Sequence, residues 1–140
     1  MAGRDPRYDI LFEPVQIGPV TAPNRFFSVP HATGHSPLMP NGSIGMRETK
    51  AEGGWGVVSM QVAEIDPSSD ISNLPMERFW DETDVASHAV MVERVKAHGA
   101  LTAIELAHTG LRARNMDTGV PVLGPSSMRI LKPQNPIQSK

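Results

Sequence analysis

The chain has no cysteine. Within its 140 residues this excludes disulfides, thiolate metal ligands and a thiol nucleophile. It has no apolar run of the roughly 18–20 residues that a membrane-spanning helix requires. It also lacks an excess of either charge: 13 Lys and Arg stand against 15 Asp and Glu, a formal net of −2. The basic surplus that draws a chain to phosphate backbones or anionic lipid is missing, so neither nucleic acid nor membrane is expected as a partner. The opening string "MAGRDPRYDILFEP" is charged and proline-broken, without the apolar stretch of a secretory signal. A cytoplasmic location is the resulting expectation. There is no internal repeat.

What is plentiful is punctuation. The 13 prolines and 12 glycines separate short apolar segments rather than forming a low-complexity tract. After an extended lead-in over residues 1–14, "VQIGPVTA" (15–22) reads as a hairpin around Gly18-Pro19. "RFFSV" (25–29) reads as a short strand ending at Pro30, with a loop over residues 31–41. "IGMRETKAE" (44–52) reads as a helix with Ser43 as N-cap and Gly53-Gly54 as its stop. "GVVSMQVAEI" (56–65) is a strand, and residues 66–80 are a loop. Val85, His88/Ala89, Val92 and Val95 recur at helical spacing, with Asp81, Glu82 and Asp84 at the N-terminal end and Gly99 as the stop. "LTAIEL" (101–106) is the next strand; from Gly110 onward a loop is expected, with weak β character at 120–123. Met60, Met91 and Val92 read as core, and Lys50 and Glu52 as a solvated face.

Strands alternating with helices imply βαβ units and a parallel sheet, so the fold class is α/β. The loops after the strands are long and those before them short. In such folds the long loops at strand C-termini build sites, which directs attention to residues 30–41, 66–80 and 107–125. A (β/α)8 barrel needs roughly 200–250 residues. Three βα units are therefore either a small three-stranded α/β protein or the N-terminal piece of a larger barrel.

Several strings in order bear on that choice. "LFEPVQIGPVTAPNRFFSVPHATG" (11–34) resembles the N-terminus of the flavin-dependent barrel family that includes old yellow enzyme, with its pattern "LF-P--IG---L-NR----P". The lead-in "RDPRYDILFEP", the run "KAEGGWG" (50–56) and "WDE" (80–82) resemble the trimethylamine, dimethylamine and histamine dehydrogenase branch of these NADH:flavin oxidoreductases. The resemblance runs from Arg4 to about Ser126. It implies that residues 1–140 are an incomplete FMN-binding TIM-barrel domain: about three βα units plus a bottom hairpin, with the remainder C-terminal to Lys140. It implies an FMN-dependent oxidoreductase that transfers hydride at flavin N5, acting on a small-molecule substrate as an amine dehydrogenase or as an ene-reductase of activated alkenes. Its redox partner would be NAD(P)H or an electron-transfer protein. A 4Fe-4S cluster and homo-oligomer formation would belong to the full-length form. The rival from another class is a non-catalytic remnant or small binding module.

The resemblance also implies site residues. Val29, Pro30, His31 and Ala32 would meet the flavin where the first strand ends. Ala32 departs from the branch, where a cysteine bonds the flavin covalently, and from relatives with Thr or Cys there; a non-covalent FMN follows. Gln61 and Val62 would line the cavity, with Val62 where trimethylamine-oxidising relatives carry a tyrosine of an aromatic box; valine offers a cation no π face. Glu105 would bond the pyrimidine edge of the flavin, the alternative being a partner such as Arg25, because a lone carboxyl in an apolar strand is costly. His108 stands in "LAHTGLR" where the family has "LWH-GR", facing substrate or bonding loop backbone. The other catalytic residues are expected beyond Lys140. His31 and His35, four apart, sit among Pro30, Gly34 and Pro37; no helix pairs them, and no metal is expected.

Overall fold

The computed structural model describes residues 5–35, 38–70 and 76–126. The lead-in is not extended as expected. Asp5 accepts from Arg7 N–H at 3.0 Å and caps a 3-10 turn over Pro6–Phe12, with Pro6 in its first turn, where a missing N–H costs nothing. The hairpin forms as expected: β1 (Val15–Ile17) pairs antiparallel with β2 (Val20–Ala22), Ile17 opposite Val20, and Gly18 takes the positive φ of 55° that the turn demands.

β3 (Phe27–Ser28) is shorter than the sequence suggests. Asn24 precedes it, accepting from Phe26 N–H at 3.0 Å and donating to Gly54 O at 2.8 Å. A Cβ on Gly56 would lie 2.4 Å from Asn24 Oδ1 and 2.7 Å from its carbonyl oxygen, so only glycine fits there. α1 (Pro40–Glu52) begins a turn earlier than expected. Pro40 sits in its first turn with a pre-set φ, which moves the start ahead of Ser43. Ser43 is therefore no cap; it is buried and donates to Glu77 Oε1 at 3.1 Å. Gly53 ends the helix, and Gly54 takes φ 93°.

β4 (Val57–Glu64) is the central strand. One of its edges pairs parallel with β6 (Leu101–Ala107) along its length. The other edge is shared in sequence: β3 pairs with Val57 and Val58, and β5 (Glu77–Arg78) with Ala63 and Glu64. β5 falls in what reads as loop; a two-residue strand has too little pattern to be seen, and it forms because β3 leaves that edge vacant. α2 (Glu82–Ala97) starts at Asp81, whose Oδ1 accepts from Thr83 N–H at 2.8 Å and Asp84 N–H at 3.1 Å. Its buried stripe is His88, Met91 and Val95, while Val85 is 44% exposed and Ala89 exposed. The expected stripe is thus rotated, because α2 meets α1 as well as the sheet and buries the face between them.

The core lies on this helix side: Ile44 and Ala51 of α1, Val58 and Met60 of β4, Met91 and Val95 of α2, and Ala100, with Phe79 and Val92 packed against them. Burying such side chains is worth about 1.5–3 kcal/mol each. At the far end of β6, Ile104, Glu105 and Leu106 are exposed in succession. Successive strand residues face opposite sides, so both faces are uncovered there. Residues 120–123 form no strand. The expectations for residues 1–4, Ser36, Pro37, residues 71–75 and the tail from 127, which ends in "KPQNPIQSK", lie outside the described residues. No helix among the described residues is long and apolar enough to cross a membrane.

Candidate functional site

β3, β4 and β6 are neighbours and parallel. Their C-terminal ends therefore lie at one rim of the sheet, and the long loops after them meet there. Leaving β3, Val29 is 64% exposed, and Pro30, His31 and Ala32 are exposed too. The segment is fastened at the next residue: Thr33 N–H donates to Gln61 Oε1 at 3.0 Å. Gln61 is 1% exposed, and its Nε2 has no partner among the described residues. It projects from β4 just where the register with β6 shifts, between Ser59 and Val62. Such a bulge re-aims the side chains beyond it.

Past the shift, Val62 stands opposite Glu105 of β6. Val62 is half-buried and Glu105 exposed. Arg25, the alternative partner for Glu105, donates Nε to Ile10 O at 2.8 Å instead. The rim thus brings residues 29–32, Val62 and Glu105 to the same end of three adjacent strands. His31 and His35 form no metal cluster with a third ligand among the described residues.

His108 follows β6 and is fully engaged. Gly110 N–H donates to its Nδ1 at 2.9 Å, and its Nε2 lies 3.1 Å from Ser68 Oγ. Ser68 Oγ–H donates to Asp66 Oδ1 at 2.6 Å, and Ser68 N–H donates to the same oxygen at 2.8 Å. These bonds from Ser68, assisted by the nearby His108, hold the Asp66 carboxyl below its ordinary range. Beside them, Thr109 N–H donates to Ser69 Oγ at 3.1 Å and Thr109 Oγ1 to Ser69 O at 2.9 Å. Asp70 O accepts from Arg114 N–H at 2.8 Å, and Asp70 Oδ2 from Asp117 N–H at 2.9 Å. Asn115 sits in this loop at φ 46° and donates Nδ2 to Val120 O at 2.8 Å.

Sequence reasoning missed the roles of Asp66, Ser68, Ser69 and Asp70. The local part was readable, since Asp-Pro-Ser is a turn signal in which Asp caps its own backbone two residues on. The partners about 40 positions away were not. It also missed a second polar cluster between α1, β5 and α2. Arg47, 1% exposed, donates Nη1 to Ser43 O at 3.0 Å and to Ser43 Oγ. Burial pushes its guanidinium below the ordinary value, and Glu77 opposes that. His88, expected as part of an apolar stripe, donates Nε2 to Arg78 O at 2.9 Å and stacks on Phe79, ring centroids 4.3 Å apart.

Comparison with known proteins bears on both fold and site. A family model described as the NADH:flavin oxidoreductase / NADH oxidase family matches residues 10–137. The chain is 39% identical over 123 residues to a dimethylamine dehydrogenase of Hyphomicrobium sp. (strain x), covering 88% of this chain and 17% of that protein. The structure is similar to that of 6-hydroxypseudooxynicotine amine oxidase from Pseudomonas geniculata N1, with TM-score 0.86 and 44% identity, covering 96% of this chain and 20% of that one. It is similar to histamine dehydrogenase from Rhizobium sp. 4-9, with TM-score 0.84 and 42% identity, covering 89% and 19%. The chain thus spans a fifth or less of the length of these relatives. The matched structures are barrels of the old yellow enzyme type. The α/β fold seen here is the N-terminal part of such a (β/α)8 barrel, an open parallel sheet rather than a closed one.

Proposed function

The chain belongs to the NADH:flavin oxidoreductase / NADH oxidase family, and from that premise we propose that it forms the first three strands and part of the flavin-facing rim of an FMN-dependent oxidoreductase. Residues 1–140 are then an incomplete barrel domain, continued beyond Lys140. One observation carries the reading: residues 29–32, Val62 and Glu105 gather at one end of three adjacent parallel strands.

These residues fit a flavin. Residues 29–32 are exposed beyond the last pairing of β3, and Ala32 is small, so backbone can lie close against a flat ring. Glu105 is exposed and sits opposite Val62, able to accept from the N3–H edge of the ring. Bound FMN supplies a hydride acceptor and donor at its N5. Gln61, by holding Thr33 N–H, fixes how far residues 29–32 stand from β4. Ala32 has neither thiol nor hydroxyl, so the flavin is held non-covalently and receives no side-chain bond from position 32.

The substrate is a small molecule, and an amine is the class favoured. The dehydrogenase and oxidase relatives are named for amines. Val62 gives no π face to a quaternary or trialkylated nitrogen, so a primary or secondary amine fits better. The same valine favours a second reading, reduction of an activated alkene at the expense of NAD(P)H, which needs no cation box. In the amine reading, electrons leave to an electron-transfer protein through a 4Fe-4S centre outside this chain, within a homo-oligomer. The test is acid precipitation of the full-length protein. The yellow colour is expected in the supernatant and identifiable as FMN by chromatography. Colour retained by the pellet overturns the non-covalent reading, and a colourless protein that takes up no FMN overturns the function.

A further inference from the structure

The bonds around His108 admit one assignment of protons. Gly110 N–H points at Nδ1 from 2.9 Å, so Nδ1 must keep its lone pair. The neutral ring then carries its proton on Nε2, 3.1 Å from Ser68 Oγ. The Ser68 hydroxyl proton is committed to Asp66 Oδ1 at 2.6 Å, which leaves Ser68 Oγ free to accept from Nε2–H. Every donor in the chain Gly110, His108, Ser68, Asp66 has an acceptor, and the order is Asp–Ser–His rather than the Ser–His–Asp of hydrolases. Serine here gives its proton to a carboxylate and not to an imidazole, so it is no nucleophile. Both ring nitrogens of His108 are spoken for, which leaves none to face a substrate.

We propose that Asp66 and Ser68 are positioning residues: they lock His108 as the neutral Nε2–H tautomer and, through it, clamp the loop after β6 onto the loop after β4 as one wall of the site's mouth. The inference rests on the flavin-oxidoreductase reading for what the mouth admits, though the clamp itself stands on geometry alone. The neighbouring bonds run the same way. Ser68, Ser69 and Asp70 are all buried, and Ser69 and Asp70 hold Thr109, Arg114, Asn115 and Asp117. The wall so held begins three residues after Glu105, on the strand that faces Val62. Its position would therefore shape the mouth beside Glu105, where a bound flavin would present its edge.

The test is amide hydrogen exchange by mass spectrometry on the full-length protein, comparing H108F, H108Q, S68A, D66A and D66N with wild type. Phenylalanine fills the ring's space but accepts and donates nothing. Exchange across residues 109–117 is expected to rise about tenfold in H108F and S68A, the factor that losing one part-buried hydrogen bond produces. H108Q keeps a donor toward Ser68, and D66N keeps an acceptor for it, so both should restore most of the protection that H108F and D66A lose. Exchange in α2 is the control for unfolding; should S68A fail that control, H108F and the pair D66A and D66N still decide. Nitrogen-15 spectra of the histidine-labelled protein should show the Nε2–H pattern for His108 and lose it in S68A. Unchanged exchange in H108F, or an Nδ1–H pattern in wild type, overturns the clamp. A flavin-free protein with intact protection would overturn the functional reading and leave the clamp standing.

Discussion

Two polar clusters flank β4, and they solve opposite problems. On the helix side, Ser43, Arg47, Glu77 and His88 are all less than a tenth exposed, among the side chains of the core. That cluster ties α1 to β5 and α2, yet Arg47 Nε and Nη2 find no partner among the described residues. At the rim, Asp66 and His108 are exposed and only Ser68 is buried, and every hydrogen along the relay is matched. A charge in the core raises the stakes of each bond, because desolvation makes a missing partner expensive. Half-solvated groups contribute little energy but fix direction. The helix-side cluster should therefore govern stability, and the rim cluster should govern shape.

The comparison breaks first at Arg47. Arg47→Ala is expected to cost about 3–5 kcal/mol, because it removes a buried cation whose charge Glu77 offsets and breaks its bonds to Ser43; a thermal midpoint within a degree of wild type would show that Arg47 holds nothing there. Next comes the apolar part of the same region. Met91→Ala should cost about 2–5 kcal/mol by opening a cavity, while Val85→Ala stays within about 0.5 kcal/mol. Equal losses in a denaturant titration would mean that the buried stripe of α2 is not the one described. Gly56→Ala should cost about 1–3 kcal/mol by forcing Asn24 away from both Phe26 and Gly54. Thermal scans of that variant alone and with Asn24→Ala should show the loss partly relieved in the double variant.

The smallest effect belongs to the rim and concerns pH. The folded chain favours ionised Asp66, since the bonds from Ser68 lower its pKa. Its contribution is complete above the unfolded value of about 4 and fades as pH falls through the lower folded value. Asp81, lowered by the backbone N–H groups of Asp84 and Thr83, shares that sign. Loosening of residues 109–117 on acidification, followed by exchange, should thus precede loss of the helix-side core. A loop that keeps its full protection as pH falls through the carboxylate range would contradict the assignment.

The hairpin at Gly18-Pro19, the stops at Gly53 and Gly99 and the strands around β4 and β6 were legible because turn chemistry and apolar runs are local. The start of α1 was not, because Pro40 reads as a loop breaker when taken alone and as a first-turn residue only once the helix beyond it exists. On α2, His88, Met91 and Val95 are buried as expected, and the misreading was of Val85 and Ala89, which are exposed because the helix turns its buried face toward α1 as well as the sheet. At the site, positions 29–32, Val62 and Glu105 followed from a resemblance, and the structure brings them to one rim. The His108 relay spans loops about 40 residues apart, so nothing in its neighbourhood announced it; the sequence left substrate contact and backbone bonding equally open, and the bonds are to Ser68 and Gly110.

The divided edge of β4 has a further consequence. β3 occupies that edge for two residues, β5 takes the last two, and the stretch from Ser59 to Val62 lies between them. Gln61 meets Thr33 there with a side chain where a ladder would have used backbone. A full-length first strand would bring rigidity and no vacancy. Two half-strands leave Ser59, Met60 and Gln61 without a ladder partner on that edge among the described residues, buried all the same. Residues 29–32 are thereby tied to the sheet through the Thr33–Gln61 bond rather than through a ladder, so their course can change without unpicking the strands on either side.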